Sequence, residues 1–273
     1  MKLIEPKVEL IQQQPGLVGM YKHIEKCTRT CYKSEDKITE DSYKKMYDNL
    51  VQRGHLAMLE HGTVYLTLKW WHIVKFFKYL FNPYSKVHKF KYVTTNLRVL
   101  TENNWIGDLM FLSDIPTKYH EQRITLKFNT NIGVTREGNR HRTFSIAEQS
   151  TRYCDYTNEK KFSSDISFIK PVWYDESTEK QKERFKYSLR VAESAYKYLI
   201  KLQWVPQQAR EVLPLATKSE IVYTAFVSDW KHWFDLRLLG ITGKPHPNME
   251  QIARLAKEEL EKNGLWNLIY GSV

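Results

Sequence analysis

Two apolar periods are interleaved irregularly along this chain, and that irregularity limits the folds open to it. Strand-like alternation occurs in GTVYLTLK (Val64, Leu66, Leu68), KFKYVTTNLRVL, QRITLKFNT (Ile124, Leu126, Phe128) and SEIVYTAFV (Ile221, Tyr223, Ala225, Val227). Helical spacing occurs over 39–54, where Tyr43, Met46, Tyr47, Leu50 and Val51 share a face between a Thr39 cap and a Gly54 stop. It recurs in WWHIVKFFKYLF, in NNWIGDLMFL, and over 177–204 with Phe185, Leu189, Ala192, Tyr196, Leu199 and Leu202 on one side. Pro206 breaks that helix and starts a short one, QQAREVL. SDWKHWFDLRLLG reads as a helix from a Ser228 cap to Gly240, and a last helix runs from Asn248, with Gln251 as capping-box partner, to about Gly264. The order is no regular βαβ alternation and no GxGxxG is present, so the pattern predicts one mixed α+β domain over 1–273 and not a Rossmann fold.

No apolar run reaches the length of a membrane span, and the first residues hold no signal-peptide apolar core, so a cytoplasmic protein is expected. Three cysteines (Cys27, Cys31, Cys154) form neither a disulfide framework nor a zinc set, which predicts reduced structural thiols and no metal. The net charge of +11 points to anionic partners. The lysine-rich stretches alternate with acids, so charge alone leaves open a nucleic-acid binder or an enzyme for phosphorylated substrates. The aromatic run of WWHIVKFFKYLF is clustered, as in a core or subunit interface, and not spaced along a basic groove as a base-stacking platform would be.

The chemistry concentrates in RHRTFSIAEQSTRY, 140–153, which carries Arg140, His141, Arg142, Glu148, Ser150 and Arg152 without a glycine. A phosphate loop uses glycine to bring backbone N–H groups to the anion, so here side chains must do that work. If 145–152 is helical or turn-like, Glu148 and Arg152 face the same way; an ordinary surface ion pair would also explain them. The longer pattern, R-H-R followed by seven residues and Ser150, resembles the signature of the flavin-dependent thymidylate synthases, with Ala147 where Asn is common. Three further segments resemble that family in the same order: Glu60-His61 with Thr63 before a strand, Ala209-Arg210 through Leu213-Pro214, and KHWFDLR with His232 and Arg237. The chain departs from the pattern at Phe226 and Ser228, where Asn and Arg are usual, and in an enlarged segment at about 70–121.

The resemblance implies reductive methylation of dUMP to dTMP, with methylenetetrahydrofolate as carbon donor, FAD as hydride carrier and NADPH as its reductant, and without a covalent enzyme nucleophile. It implies FAD contacts from His61, Thr63, Arg140, His141, Arg142, Glu148 and His232. It assigns the nucleotide to Glu137, Arg140, Glu148, Gln149, Ser150, Thr151, Arg152, Arg210 and Arg237, with Arg237 also activating the uracil ring. A homotetramer with shared sites is implied, with no membrane and no specific nucleic acid as partner. A flavin and folate enzyme that modifies dCMP or adds a hydroxymethyl group, and a basic nucleic-acid-binding protein, are the alternatives.

Overall fold

A computed structural model describes residues 1–158 and 165–271, and the backbone alone at 70, 73 and 74. Its strands are β1 (Lys2–Ile4), β2 (Lys7–Leu10), β3 (Thr63–Thr67), β4 (Lys86–His88), β5 (Tyr92–Asn96), β6 (Arg123–Asn131), β7 (Ser145–Glu148), β8 (Ser167–Ile169) and β9 (Lys218–Phe226). Its helices are α1 (Gly16–Tyr32), α2 (Ser42–Gln52), α3 (Ile73–Leu80), α4 (Leu97–Glu102), α5 (Ile132–Gly138), α6 (Glu179–Lys201), α7 (Pro206–Ala209), α8 (Val227–Arg237), α9 (Pro247–Lys262) and α10 (Trp266–Tyr270). The mixed α+β class expected from the sequence is the one observed.

The two strongest alternating stretches pair with each other. β6 and β9 run antiparallel from Arg123 opposite Phe226 to Asn131 opposite Lys218, inside a sheet ordered β2-β6-β9-β7. Alternation then sorts the side chains by face. On one face Ile124, Leu126, Phe128, Ile221, Tyr223 and Ala225 meet Trp230, Trp233 and Phe234 of α8 and Ile252, Ala253 and Ala256 of α9. Each large side chain buried there stabilises the fold by roughly 2–3 kcal/mol. The indole N–H of Trp230 donates to the Ile124 carbonyl at 3.0 Å, so its burial leaves no orphan donor.

The other face carries Thr125, Lys127, Glu220, Val222 and Thr224 and is covered by α1, whose buried positions include both Ile24 and Cys27 and the polar His23, Glu25, Thr28 and Thr30. Glu220 sits beneath it, surrounded by the ammonium groups of Lys33, Lys127 (2.7 Å) and Lys218.

The 70–121 segment supplies β4, β5, α3 and α4. It extends β3 into a sheet ordered β3-β5-β4, with Tyr79, Val93, Leu97 and Leu100 packed against Leu59, Val64 and Leu66. The aromatic run divides: Phe76 and Tyr79 are core, whereas Trp71, Phe77 and Phe81 are exposed, and the Trp70 side chain lies outside the described residues. At the β4–β5 turn Lys89 (φ 49°) and Phe90 (φ 52°) are both left-handed, where Asn-Gly is usual, at a cost of about 1 kcal/mol each.

Several expectations need correction. The stretch 145–152 is not one helix or turn: Ser145–Glu148 is strand because it pairs with β9, and only the residues after it turn. KFKYVTTNLRVL is strand only to Asn96, whose side chain accepts from Val99 N and starts α4. NNWIGDLMFL contains a 3-10 turn, Ile106–Phe111, in place of a helix. The caps shift too: Asp41, Phe226 and His246 precede α2, α8 and α9 in place of Thr39, Ser228 and Asn248. Asn248 is drawn off because its Oδ1 accepts from Val172 N at 3.0 Å.

Candidate active site

Asn131 ends β6 by capping α5, its Oδ1 accepting from Val134 N at 2.8 Å. That cap sets α5 along one wall of a cleft of about 510 Å³. The opposite walls are the end of β7 with the turn after it, and the segment from Arg210 to Leu215. Pairing with β9 delivers Glu148 to the cleft, where its carboxylate accepts from Ser219 Oγ at 3.0 Å and Asn139 Nδ2 at 3.1 Å. Ser150 N donates to the Cys31 carbonyl, and Ser150 Oγ accepts from the N–H groups of Arg152 and Tyr153 at 3.2 and 3.3 Å. That turn is the structural use of a serine in place of glycine. Arg210 reaches over from the short helical segment after α7 and donates to Thr151 Oγ1 at 3.0 Å. Gln149 is only 2% exposed and lines the cleft, yet among the described residues its Nε2 has no hydrogen-bond partner.

A second group stands at the far end of α5. Helix α8 returns along β9 and ends at Arg237. The Arg237 guanidinium donates to His141 Nε2 at 3.2 Å, to the Glu137 carboxylate at 3.4 Å and to the Glu137 carbonyl at 3.2 Å. Three acceptors therefore fix one planar cation. His141 is buried, and burial first, then Arg237 and His232, pushes its pKa down to about 4. Its ring centroid is 6.0 Å from that of exposed His232. Gly138 makes this corner possible: a Cβ there would stand 2.1 Å from the Tyr223 hydroxyl, which donates to Asn139 Oδ1 at 3.0 Å.

The expected residues thus fall into four places. Glu148, Gln149, Ser150, Thr151 and Arg210 share the cleft; Glu137, His141, His232 and Arg237 gather beside it, joined through α5. Arg152 lies at the exterior, held by Gln207 Oε1 at 2.9 Å. Arg140 and Arg142 are exposed, and among the described residues they, like Arg136 at the cleft wall, have no carboxylate within ion-pair distance. Guanidinium groups without a carboxylate partner can donate to the oxygens of a phosphate.

His61 and Thr63 are on the opposite face of the sheet in this chain. His61 is fully buried and shares a 2.8 Å hydrogen bond with Thr224 Oγ1, whose neighbour Tyr223 faces the α8 side. Burial, then His23 and Arg123, lowers its pKa to about 3, so it is neutral. Phe226 is buried, and Ser228 is held by Glu121 through its N–H (3.1 Å) and hydroxyl (2.5 Å).

Sequence reading missed Arg123, which donates to the Glu60 carbonyl at 2.8 Å and Ser145 Oγ at 2.7 Å and so ties the Glu-His segment to the start of β7. The signal was an arginine opening an alternating strand. None of the three cysteines is disulfide-bonded among the described residues; Cys31 is pushed up to about 12, by burial first and then by Glu148, which suits packing and not nucleophilic attack. No helix of the described residues is long and apolar enough to cross a membrane.

Comparison with known proteins adds a family. The sequence model of the thymidylate synthase complementing protein family matches residues 85–263, more than half of the chain and including every candidate residue except His61 and Thr63. No curated protein sequence matches. Among solved structures, the UMP/dUMP methylase PolB from Streptomyces cacaoi bound with 5-Br dUMP is 17% identical, with 96% of this chain and 93% of that chain covered and a TM-score of 0.47. The same methylase bound with 5-Br UMP is 15% identical, with 99% and 96% covered and a TM-score of 0.49.

Proposed function

The chain belongs to the thymidylate synthase complementing protein family, and from that membership we propose that it methylates C5 of dUMP in an FAD-dependent, folate-dependent reaction. The observation that carries this reading is the junction of two groups along α5: a cleft with phosphate-binding chemistry, and beside it Arg237 held rigidly by His141 and Glu137.

In this reading the dUMP phosphate lies against Arg210, Thr151 and Ser150, where a guanidinium and hydroxyls can hold several of its oxygens. Gln149 Nε2, buried and without a partner among the described residues, is a further donor at the cleft. Arg237 faces the uracil ring. C5 is a weak nucleophile, and a fixed cation beside the N3–O4 edge stabilises the negative charge that builds there as C5 attacks. The guanidinium stays charged throughout, which a lysine in the same surroundings would not ensure.

Arg140, Arg142, His141 and His232 would hold FAD, with Glu148, and with His61 and Thr63 from another part of the assembly. Bound FAD would supply the hydride that completes the methyl group, the methylene coming from methylenetetrahydrofolate and NADPH serving as reductant. None of the three thiols is required, since no covalent bond to the protein forms. Sites shared among the subunits of a homotetramer in the cytoplasm, and a single domain over 1–273, complete the proposal.

The test is release of tritium from C5-labelled dUMP by purified, yellow protein with methylenetetrahydrofolate and NADPH. Arg237→Ala should lose at least on the order of a hundredfold in turnover while the flavin stays bound. Colourless protein that binds no dUMP, or turnover on dCMP with dUMP inert, would reject the assignment.

A further inference from the structure

The 70–121 segment carries a second cationic cleft, outside the residues used above. It has a volume of about 280 Å³ and is lined by Lys86, Val87, His88, Lys118, Tyr119, His120 and Glu121, between the β4–β5 hairpin and the loop before β6. Lys89 Nζ lies 4.1 Å and Lys118 Nζ 5.2 Å from the Tyr119 ring centroid. Among the described residues, Lys86, Lys89, Lys91 and Lys118 have no carboxylate within ion-pair distance. The lysines of α3 differ: Lys75 and Lys78 both pair with the carboxylate of Asp108. Within the described part of this segment, the lysines without a carboxylate partner are therefore those of the β4–β5 hairpin and of the loop before β6.

One carboxylate also lines the cleft: Glu121, whose Oε1 accepts from the N–H and hydroxyl of Ser228, so the lining lysines outnumber it. His120 is part of the framework, its Nε2 bonded to the Leu66 carbonyl at 2.9 Å and its Nδ1 accepting from Thr117 N at 3.1 Å. Flat walls stand beside the lysines: His88 and Tyr119 are near-parallel at 14° with centroids 5.8 Å apart, and Tyr92 packs on Tyr119 at 4.8 Å. The left-handed Lys89 and Phe90 hold the hairpin tip at the rim, a conformation that costs stability and contributes no core contact at Lys89.

We propose that this cleft binds a free nucleotide bearing more than one phosphate, with the phosphates on Lys86, Lys89 and Lys118 and the base against the His88–Tyr119 surface. Cations together with aromatic faces fit a phosphorylated nucleoside, whereas a polycarboxylate would use only the cations. The confined volume, and lysines of α3 that are tied to Asp108, favour a single free nucleotide over a nucleic-acid strand, which needs an extended charged track. The cleft adjoins the end of β9 and the start of α8: Lys86 Nζ is 5.7 Å from the Phe226 ring centroid, and Ser228 in the next turn bonds Glu121. If the proposed function holds, the source is the phosphorylated adenosine end of the dinucleotide reductant.

The experiment is equilibrium binding of adenosine 2′,5′-bisphosphate, oligothymidylate and dUMP to the full-length protein and to Lys86→Ala/Lys118→Ala. Expected are bisphosphate binding that weakens at least tenfold in the double variant, a smaller loss in Lys89→Ala, and dUMP affinity that does not change. Absence of bisphosphate binding, equal affinity in the double variant, or oligothymidylate binding that the bisphosphate does not compete would overturn the proposal. Binding of dUMP without the bisphosphate sinks this inference alone; binding of the bisphosphate without dUMP sinks the proposed function and leaves this site standing.

Discussion

Arg237 Nε donates to His141 Nε2 across 3.2 Å, so the imidazole that receives it must carry its own proton on Nδ1. A buried histidine next to two potential cations is neutral for that reason, and its neutrality keeps Arg237 in place.

The first prediction is a pH dependence. The folded pKa of His141, about 4, lies below the ordinary 6.5, with burial the largest cause and Arg237 the next. The unfolded chain therefore binds more protons between those values, and stability rises with pH across that window. The contribution is complete above about pH 6.5 and disappears as pH falls toward 4. NMR titration of the ring should show the low value in the wild type and a shift back toward the ordinary one in Arg237→Ala. An unchanged value would show that burial acts alone.

Arg210 is partly exposed, with a side chain 39% accessible, and its hydrogen bond to Thr151 crosses the cleft without entering the core. Arg210→Ala should therefore fold normally and lose roughly tenfold to a hundredfold in dUMP affinity, the scale of one or two charge-assisted hydrogen bonds. Calorimetric titration at two salt concentrations checks this; the variant should also show the weaker salt dependence.

Glu220 is 3% exposed among three lysines. Burial alone would push its carboxyl up, but Lys218, Lys127 and Lys33 outweigh that and hold it well below the usual carboxylate range. Because its folded pKa is depressed, the stability it confers is present above the unfolded value near 4.5 and is lost only as pH falls far below it. Glu220→Gln strands buried cations and should cost on the order of 3–5 kcal/mol in urea denaturation.

These buried charges also show what could be read from the sequence. The strands β6 and β9 and the helices α6 and α8 were legible because one face of each is continuously apolar. The polar face of QRITLKFNT and SEIVYTAFV reads as solvent-facing, and it is not. Helix α1 covers it, and α1 itself escaped detection because its buried side mixes His23, Glu25, Thr28 and Thr30 with Met20 and Ile24. Arg123, Lys127 and Glu220 were hidden by the same cause. At the site, Glu148 to Thr151 of the RHR segment line one cleft with Arg210 from elsewhere in the chain, whereas Arg140 and Arg142 do not; spacing suggested a turn or helix at Ser145–Glu148 where pairing with β9 imposes a strand.

The β4–β5 turn gives an independent stability prediction. Lys89 is exposed at φ 49°, a conformation that asparagine tolerates better than lysine. Lys89→Asn should stabilise the protein by roughly 0.5–1 kcal/mol in thermal or urea unfolding, close to the cost of the left-handed turn. The gain should come with weaker binding at the cationic cleft.

Strand β9 is buried at every position from Ser219 to Phe226 and paired along both edges, with the Arg210 segment just before it and the helix bearing Arg237 just after it. In hydrogen–deuterium exchange its amides should belong to the slowest class, opening only with the whole molecule. Strand β4, at the open edge of the β3-β5-β4 sheet and partly exposed, should exchange well before it. The two arginines would then be anchored to the last part of the chain to yield, so the protein could breathe at its enlargement without losing the shape that recognises a nucleotide.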